Sequence, residues 1–589
     1  MLFGKHINKY YLRYAPVLLL GLASLILVDY FQLLVPELYR SVINGINEGF
    51  VTLDGVDYIF NMDFVLDKIC LPMIFVIVAL VIGRFAWRVC FFGSAIRVET
   101  DLRYRMFDHC KDLSQSYYQV NKVGNLMSLF TNDLKTVQEC FGSGILSFLD
   151  AFLLGFMALY KMFRMNYVLT LLSLIPMSML IIVATIVRRY MMRKWAERQE
   201  AFSALSDYSQ ESFSGISVIK AFVKEGKELW SFKRLNKKNE NANVAHTKAS
   251  TLLHIFVTLF VESVICVIIG YGGYLVHIGK FNAGEFVEFI GYFNTIVWPI
   301  MAISQLIEMQ SRGKASLNRI SELLDAEIDV KDREDVSELE MIYGDIEFRN
   351  LTFRYPGAGY DALSDVSFTI NRGENVGIIG KTGSGKTTLV DLILRTYNVE
   401  DGALFIDGVD VNKIPIKNLR HFCAYVPQDN FLFSDTIENN IAFASGDGSL
   451  SVEEASKLAD IHDSIEEFSH KYQTVLGERG VTVSGGQKQR ISIARALMKN
   501  ASILILDDSV SAVDTKTEKN ILQSLRRERQ GKTTILIAHR ITTVENMDKI
   551  IFIDEGKIVA VGTHMELYRA NESYRHMVEL QRLDEGEGL

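Results

Sequence analysis

The chain is 589 residues long, is 49% hydrophobic and carries a formal net charge of −8. Its positive mean hydropathy is more than a soluble enzyme of this size usually carries, and the length allows several domains. The basic residues form no single cluster, which excludes nucleic acid as an expected partner. Six cysteines, scattered without C-x-x-C spacing, suggest neither a disulfide framework nor a zinc site.

The apolar excess lies in the first half. Segments near residues 15–36, 69–92, 142–160, 166–187, 252–276 and 284–307 are each long enough to cross a hydrocarbon core of about 30 Å and predict six membrane helices. The first follows Lys5, Lys9 and Arg13 but runs too long, without a small-residue cleavage site, for a removable signal peptide. Residues 41–67 hold Glu48, Asp54, Asp57, Asp63 and Asp67 but no Lys or Arg, whereas the connections after the second and fourth segments are rich in both basic types. The positive-inside bias therefore places both termini in the cytoplasm, although Lys161, Arg164 and Lys280 count against it. Asp29, Asp150 and Glu262 fall inside apolar spans, where an unpaired charge is costly. Each is expected to face a cavity, as in cation recognition, to pair with Arg84 or Arg88, or to lie close to the membrane interface.

The connections from Arg97 to Glu139 and from Arg188 to Ser250 keep helical periodicity and read as membrane helices continuing into the cytoplasm. A charged stretch with Glu327, Asp329, Asp332, Glu334 and Asp335 marks a linker, 316–344, between a membrane domain, 1–315, and a soluble domain, 345–580. In the soluble part, short β-branched strands alternate with helices, as in an α/β nucleotide-binding core. An acidic tail, 581–589 with Asp584-Glu-Gly-Glu587, is expected to be disordered.

Between the apolar run Val376–Ile379 and a helical run stand Gly380, Lys381, Thr382, Gly383, Ser384, Gly385, Lys386 and Thr387, followed by Thr388. This G-x-x-x-x-G-K-[ST] loop binds nucleoside triphosphates: glycines let backbone N–H groups close on phosphate oxygens, Lys386 reaches the terminal phosphates and Thr387 ligates Mg²⁺. Further on, Ser484, Gly485, Gly486 and Gln487 open a helix whose buried face would be Ile491, Ala494, Leu497 and Met498. Ser484 and Gln487 have the spacing of a capping box.

Together these two motifs resemble the phosphate loop and signature of the ATP-binding cassette (ABC) family. In that family the signature meets the γ-phosphate of ATP held by the opposite subunit. The resemblance assigns Asp507 and Asp508 to the Walker B pair, Asp514 in Ser511-Ala-Val-Asp514 to the D-loop, and His539 to the switch histidine. It assigns Gln428 to the Q-loop and Tyr355 to the adenine-stacking aromatic. It implies ATP and Mg²⁺ as cofactors, with Thr387, Gln428 and Asp507 as Mg²⁺ ligands and Asp508, Gln428 and His539 in catalytic roles.

Six membrane helices fused ahead of one cassette resemble an exporter half-transporter, in which an α-helical membrane domain of the type IV exporter fold precedes an α/β P-loop NTPase cassette with a helical subdomain. Tyr118–Ser128 through Asp133 resembles the first coupling region, Glu211–Phe222 the second, and Thr474–Gly480 the X-loop. The resemblance implies a multi-pass cell-membrane protein with a cytoplasmic cassette, in contact with the lipid bilayer and a second half-transporter. The chain departs from the family at Asp508, where Glu is usual. One methylene fewer retracts the general base while the signature stays intact, which resembles the degenerate-site subunit of a heterodimeric multidrug-type exporter. A homodimer stays open. The expected substrate is a small amphipathic or hydrophobic compound; a lipid or peptide is the alternative, and a nucleotide-gated channel or regulatory subunit is a reading from another class.

Overall fold

The computed structural model describes residues 4–53, 56–446, 450–477, 480, 482–511 and 513–584. Asp54, Glu478 and Arg479 of the X-loop, Ala512 of the D-loop and residues 585–589 of the acidic tail lie outside the described residues. The chain divides into two compact units, residues 1–108 with 126–325 and residues 109–125 with 326–589.

In the first unit the apolar segments fold as the long helices Ala15–Glu48, Leu71–Cys110, Ile145–Met165, Tyr167–Ser214, Glu225–Val267 and Ala283–Leu324. Among the described residues, the stretches Ala15–Glu48, Met62–Cys110, Val123–Met165, Glu225–His277 and Ala283–Leu324 are long and apolar enough to cross a membrane; the shorter apolar helix Tyr167–Met179 opens the remaining predicted span. The expected continuation beyond the bilayer is real. Tyr167–Ser214 is one helix of 48 residues, about 72 Å at 1.5 Å per residue and more than twice the hydrocarbon thickness. It packs along Glu225–Val267, and the short helix Ile216–Ala221, from the second coupling region, joins the two. The acidic connection after the first helix forms an antiparallel ribbon, Phe50–Leu53 with Val56–Ile59.

Close approach and paired charge hold the helices of this unit. A Cβ on Gly291 would meet the Pro36 ring at 2.9 Å, so only glycine lets Ala283–Leu324 lie this close to Ala15–Glu48. Nearby, Arg40 donates to Glu285 and Glu288 at 3.2 Å each, Lys161 pairs with Glu37, and the Tyr292 hydroxyl donates to Glu288 at 2.9 Å. Residues 316–324, assigned to the linker from their charge, are instead the last turns of a helix. Leu317, Ile320 and Leu323 are buried, and Ser316 and Arg319 hydrogen-bond the buried Asp133 at 2.7 and 3.2 Å.

The second unit is a layered α/β structure. Its main sheet runs Lys557–Gly562, Lys549–Asp554, Asn375–Ile379, Thr533–Ala538, Ile503–Asp507, Cys423–Val426, parallel except for the hairpin at the first edge. A four-stranded antiparallel sheet, Leu363–Ile370, Ile346–Phe353, Leu404–Ile406 and Val409–Asp410, packs beside it. The helices Ile437–Ala442, Val452–Leu458, His462–Glu466 and Gly485–Met498 pack around Ile441, Ile461, Ile465 and Ile491, in a core continuous with one face of the main sheet through Leu504 and Leu506. The predicted inward face Ile491, Ala494, Leu497 and Met498 is buried. The start of the first coupling region, up to Asn125, belongs to this unit, where the helix Gln115–Val120 leads into it, Ser116 donates to Asp329 at 2.9 Å and Gln119 faces Tyr397; residues 126–133 belong to the first unit.

Candidate functional site

Sheet register builds the site. Ala538 pairs with Ile379 and Ile537 with Asp507, so three parallel strands end together and deliver the loop from Gly380, the carboxylate Asp507 and His539 to one edge. The loop turns through positive φ at Gly383 (82°) and Gly385 (99°), the latter capping the helix Lys386–Ile393. A Cβ on Gly380 would sit 2.0 Å from the Ile553 carbonyl and one on Gly385 2.8 Å from the Ala362 carbonyl, so the loop is pressed against the neighbouring strands. Lys386 is buried and donates to the carbonyls of Gly380 and Lys381 at 2.8 Å each. Burial pushes its ammonium pKa down, against the opposing pull of Asp507 and Asp508.

The loop borders a cavity of about 500 Å³ lined by Tyr355, Thr382, Gly383, Gly385, Lys386, Thr387, Thr388, Gln428, Asp507 and His539 from the predicted set. Asp507 is only 1% exposed, and its Oδ2 has no hydrogen-bond partner among the described residues. Burial pushes its pKa up, as does the charge of Asp508, while the Thr387 hydroxyl, the Lys386 charge and the Tyr425 hydroxyl pull it down. Tyr355 shares a hydrogen bond with Thr388 at 2.9 Å, and the edge of Tyr397 packs at 5.1 Å. Gln428 follows the strand Cys423–Val426. Ser384 is buried beneath the loop, while Lys381 reaches out to Asp554 at 3.4 Å.

Other predicted residues lie outside this lining. Asp508 adopts a left-handed backbone (φ 47°), a conformation Asp tolerates better than most residues, and its carbonyl accepts from Ser511 at 2.9 Å. Asp514 caps the helix Thr515–Glu528 by accepting from the Thr517 N–H at 3.1 Å. Ser484 accepts from the Gln487 N–H at 3.3 Å and its own N–H donates to the Gln487 side chain at 2.9 Å, the expected capping box. Ser484 and Gly485 are exposed at the start of their helix, and Gly486 and Gln487 are half-buried.

Several residues of the site escaped the sequence reading. Tyr360, Asp361, Glu555 and Gly556 line the same cavity. Glu555 and Gly556 form a two-residue turn with φ of 45° and 74°, the Gly556 N–H donating to the Ser384 carbonyl at 3.2 Å. That Glu-Gly pair between two apolar runs was the available signal. Gln581, on the last helix Glu572–Asp584, clamps the strand end after the sheet: its amide donates to the His539 carbonyl and accepts from the Ile541 N–H, both at 2.7 Å. No local pattern could announce that contact.

The fold and this cavity define a phosphate-loop ATPase cassette fused to a multi-pass helical membrane domain. The family model for the ABC transporter transmembrane region matches residues 18–300, and that for the ABC transporter matches residues 363–511. The chain is 37% identical over 582 residues to the probable multidrug resistance ABC transporter ATP-binding/permease protein YheI of Bacillus subtilis (strain 168), covering 98% of this chain and 97% of that protein. It is 33% identical over 570 residues to the multidrug resistance-like ATP-binding protein MdlA of Escherichia coli (strain K12), covering 96% and 94%. A solved bacterial Atm1-family ABC exporter with ATP bound shares the fold, with a TM-score of 0.76 and 24% identity, over 98% of this chain and 99% of that one. The chain therefore belongs to the ABC transporter family, and is an ATP hydrolase coupled to transmembrane transport.

Proposed function

We propose that the chain is one half of an ATP-driven exporter of amphipathic or hydrophobic compounds, whose cassette closes on that of a second half-transporter with ATP between them. The observation that carries this reading is a division within the cassette. Lys386, Thr387 and Asp507 converge on one cavity, while the capped helix start at Ser484–Gln487 presents its N–H groups outside it. Such a helix start is an anion site, and across a dimer it would complete the phosphate pocket of the partner. The multidrug names of the two relatives support the substrate class.

In this reading Tyr355 stacks on adenine, the N–H groups from Gly380 to Thr388 and the Lys386 ammonium hold the phosphates, and His539 meets the γ-phosphate. The residues fit a magnesium ion: the Asp507 carboxyl, whose Oδ2 is unpartnered among the described residues, meets the Thr387 hydroxyl, with Gln428 in the same cavity, a set of hard oxygen donors. Bound there, the ion would offset charge on the terminal phosphates. Asp508 stands where a general base must come within about 2.6–3.2 Å of the attacking water. Its side chain is one methylene shorter than the family's Glu, so hydrolysis at this chain's own site is slow and the fast site is the partner's, which carries the Glu. Both termini and the cassette are cytoplasmic. The test is coexpression with candidate partners, native mass of the intact complex, and turnover. A heterodimer whose turnover Asp508→Asn changes by less than about twofold fits, whereas a homodimer with brisk ATPase that Asp508→Asn eliminates overturns it.

A further inference from the structure

The three acids that stand inside apolar spans of the membrane unit have different surroundings. Asp29 is buried, and Asp150 accepts the indole N–H of Trp298 at 2.9 Å. Arg84, expected from sequence as a partner for one of them, donates to Gln32 at 3.2 Å. Glu262, on the helix Glu225–Val267, is exposed, and among the described residues no hydrogen bond or ion pair engages it. It opens on a cavity of about 690 Å³ that follows one face of this helix from Ser250 to Cys266, about 24 Å at 1.5 Å per residue. The helix belongs to the membrane-crossing stretch Glu225–His277, where an unpaired carboxylate facing lipid is costly. This face therefore meets water, a ligand or another polypeptide rather than hydrocarbon.

The lining is rich in acceptors. Thr258 and Ser263 donate their hydroxyl protons to the carbonyls of His254 and Leu259, one turn back, at 3.1 and 2.6 Å, so they present oxygen lone pairs to the cavity. Glu262 supplies a carboxylate, and no Lys or Arg is among the lining residues. His254 stands two turns from Glu262, about 12 Å along the axis, too far to pair with it. Ile255 and Leu259 add apolar surface, and the volume lies in the range of sites for drug-sized ligands. Negative charge, acceptor oxygens and apolar contact together favour a cation with an apolar body over an anion. We propose that this face of Glu225–Val267 is a binding site for a hydrophobic organic cation, with Glu262 as its counter-ion. The inference deepens the export reading and rests on it for the direction of transport, but binding at this site needs no ATP turnover.

The test uses the full-length chain, in the assembly it forms, in lipid nanodiscs, with binding to empty nanodiscs subtracted. Tetraphenylphosphonium is the probe and triphenylphosphine oxide the neutral control. Glu262→Gln, which keeps size and loses charge, should weaken cation binding by about 10- to 100-fold and leave the neutral compound within about twofold. Glu262→Asp should retain most of the affinity, and Thr258→Val should cost the cation about threefold. Cys266, one turn beyond Glu262, is the exposed cysteine of the chain and reports on the same face without any substitution. Relative to their rates with a free thiol, a cationic methanethiosulfonate should label Cys266 faster than an anionic one, and tetraphenylphosphonium should slow the labelling. If Glu262→Gln fails to fold, this protection in wild type carries the test. Unchanged cation affinity in Glu262→Gln, equal loss of the neutral compound, or a Cys266 that neither reagent reaches would each overturn the proposal. A Glu262→Gln chain that folds but no longer assembles, with no protection of Cys266 in wild type, would make the face a contact between subunits and overturn it too. Uptake into sealed vesicles separates the two readings: ATP-driven uptake of other amphipathic compounds without cation binding removes this site alone, and cation binding without any ATP-driven uptake removes the export reading alone.

Discussion

The cassette carries two surfaces of opposite construction, both assigned above to phosphate. The cavity beside Lys386 is assembled from strand ends that the sheet brings into line, from a loop whose glycines admit close backbone approach, and from the turn at Glu555-Gly556. The signature surface is one helix start, complete in itself through the Ser484–Gln487 capping box. The first surface is a lined cavity, and the second is a helix start at which Ser484 and Gly485 are exposed. Each supplies what the other lacks, which is the physical reason to expect two cassettes to act together.

The comparison breaks most readily at Ser484. Replacing it with Arg blocks the helix start without touching the cavity, so turnover of the assembled complex should fall at least about 100-fold, as when a preorganised donor to developing charge is removed. ATP bound at the Lys386 cavity should be retained, as read by nucleotide crosslinking; unchanged turnover would mean that the two surfaces do not cooperate. Lys386→Ala makes the reverse cut. Losing a charged donor to phosphate should weaken ATP binding at this chain's own cavity by about 10- to 100-fold, equivalent to roughly 1.5–3 kcal/mol, with turnover at the partner's site less affected.

Gln581 tests how firmly the cavity's wall must be held. Gln581→Ala removes two hydrogen bonds to the backbone on either side of Arg540, and a looser His539 should lower kcat by about 3- to 10-fold with KM little changed. A change confined to melting temperature would reduce Gln581 to a structural clamp. The smallest effect is expected at Asp507, where the same burial that leaves Oδ2 free also costs the fold. Because its folded pKa is raised, the folded state holds the proton more tightly than the unfolded chain. The cost is therefore full above the raised value and disappears as pH falls through it towards the ordinary carboxylate range. Asp507→Asn should raise the melting temperature of the nucleotide-free cassette at neutral pH by roughly 2–4 °C, and the stability gain should vanish in acid.

What was legible in the sequence was what is local. Apolar length announced the membrane helices, Gly380–Thr387 announced a phosphate loop between strand and helix, and the S-x-x-Q spacing announced a capped helix whose inward face is buried as read. Local patterns reach only as far as a turn or a cap. The helical character of residues 316–324 was masked by their charge, because partnership with Asp133, far away in sequence, is what makes those turns pay.

The sequence by itself determined the family, the order of membrane helices and cassette, and which residue types could meet a nucleotide, since each rests on contiguous composition or fixed spacing. Only the tertiary structure decided that Tyr360, Asp361, Glu555 and Gly556 share the cavity with Lys386 and that Gln581 holds the backbone at His539. Those neighbours come from strands and helices that sheet register and helix packing bring together, and a side chain's partner across such a packing is written in no single stretch of the chain.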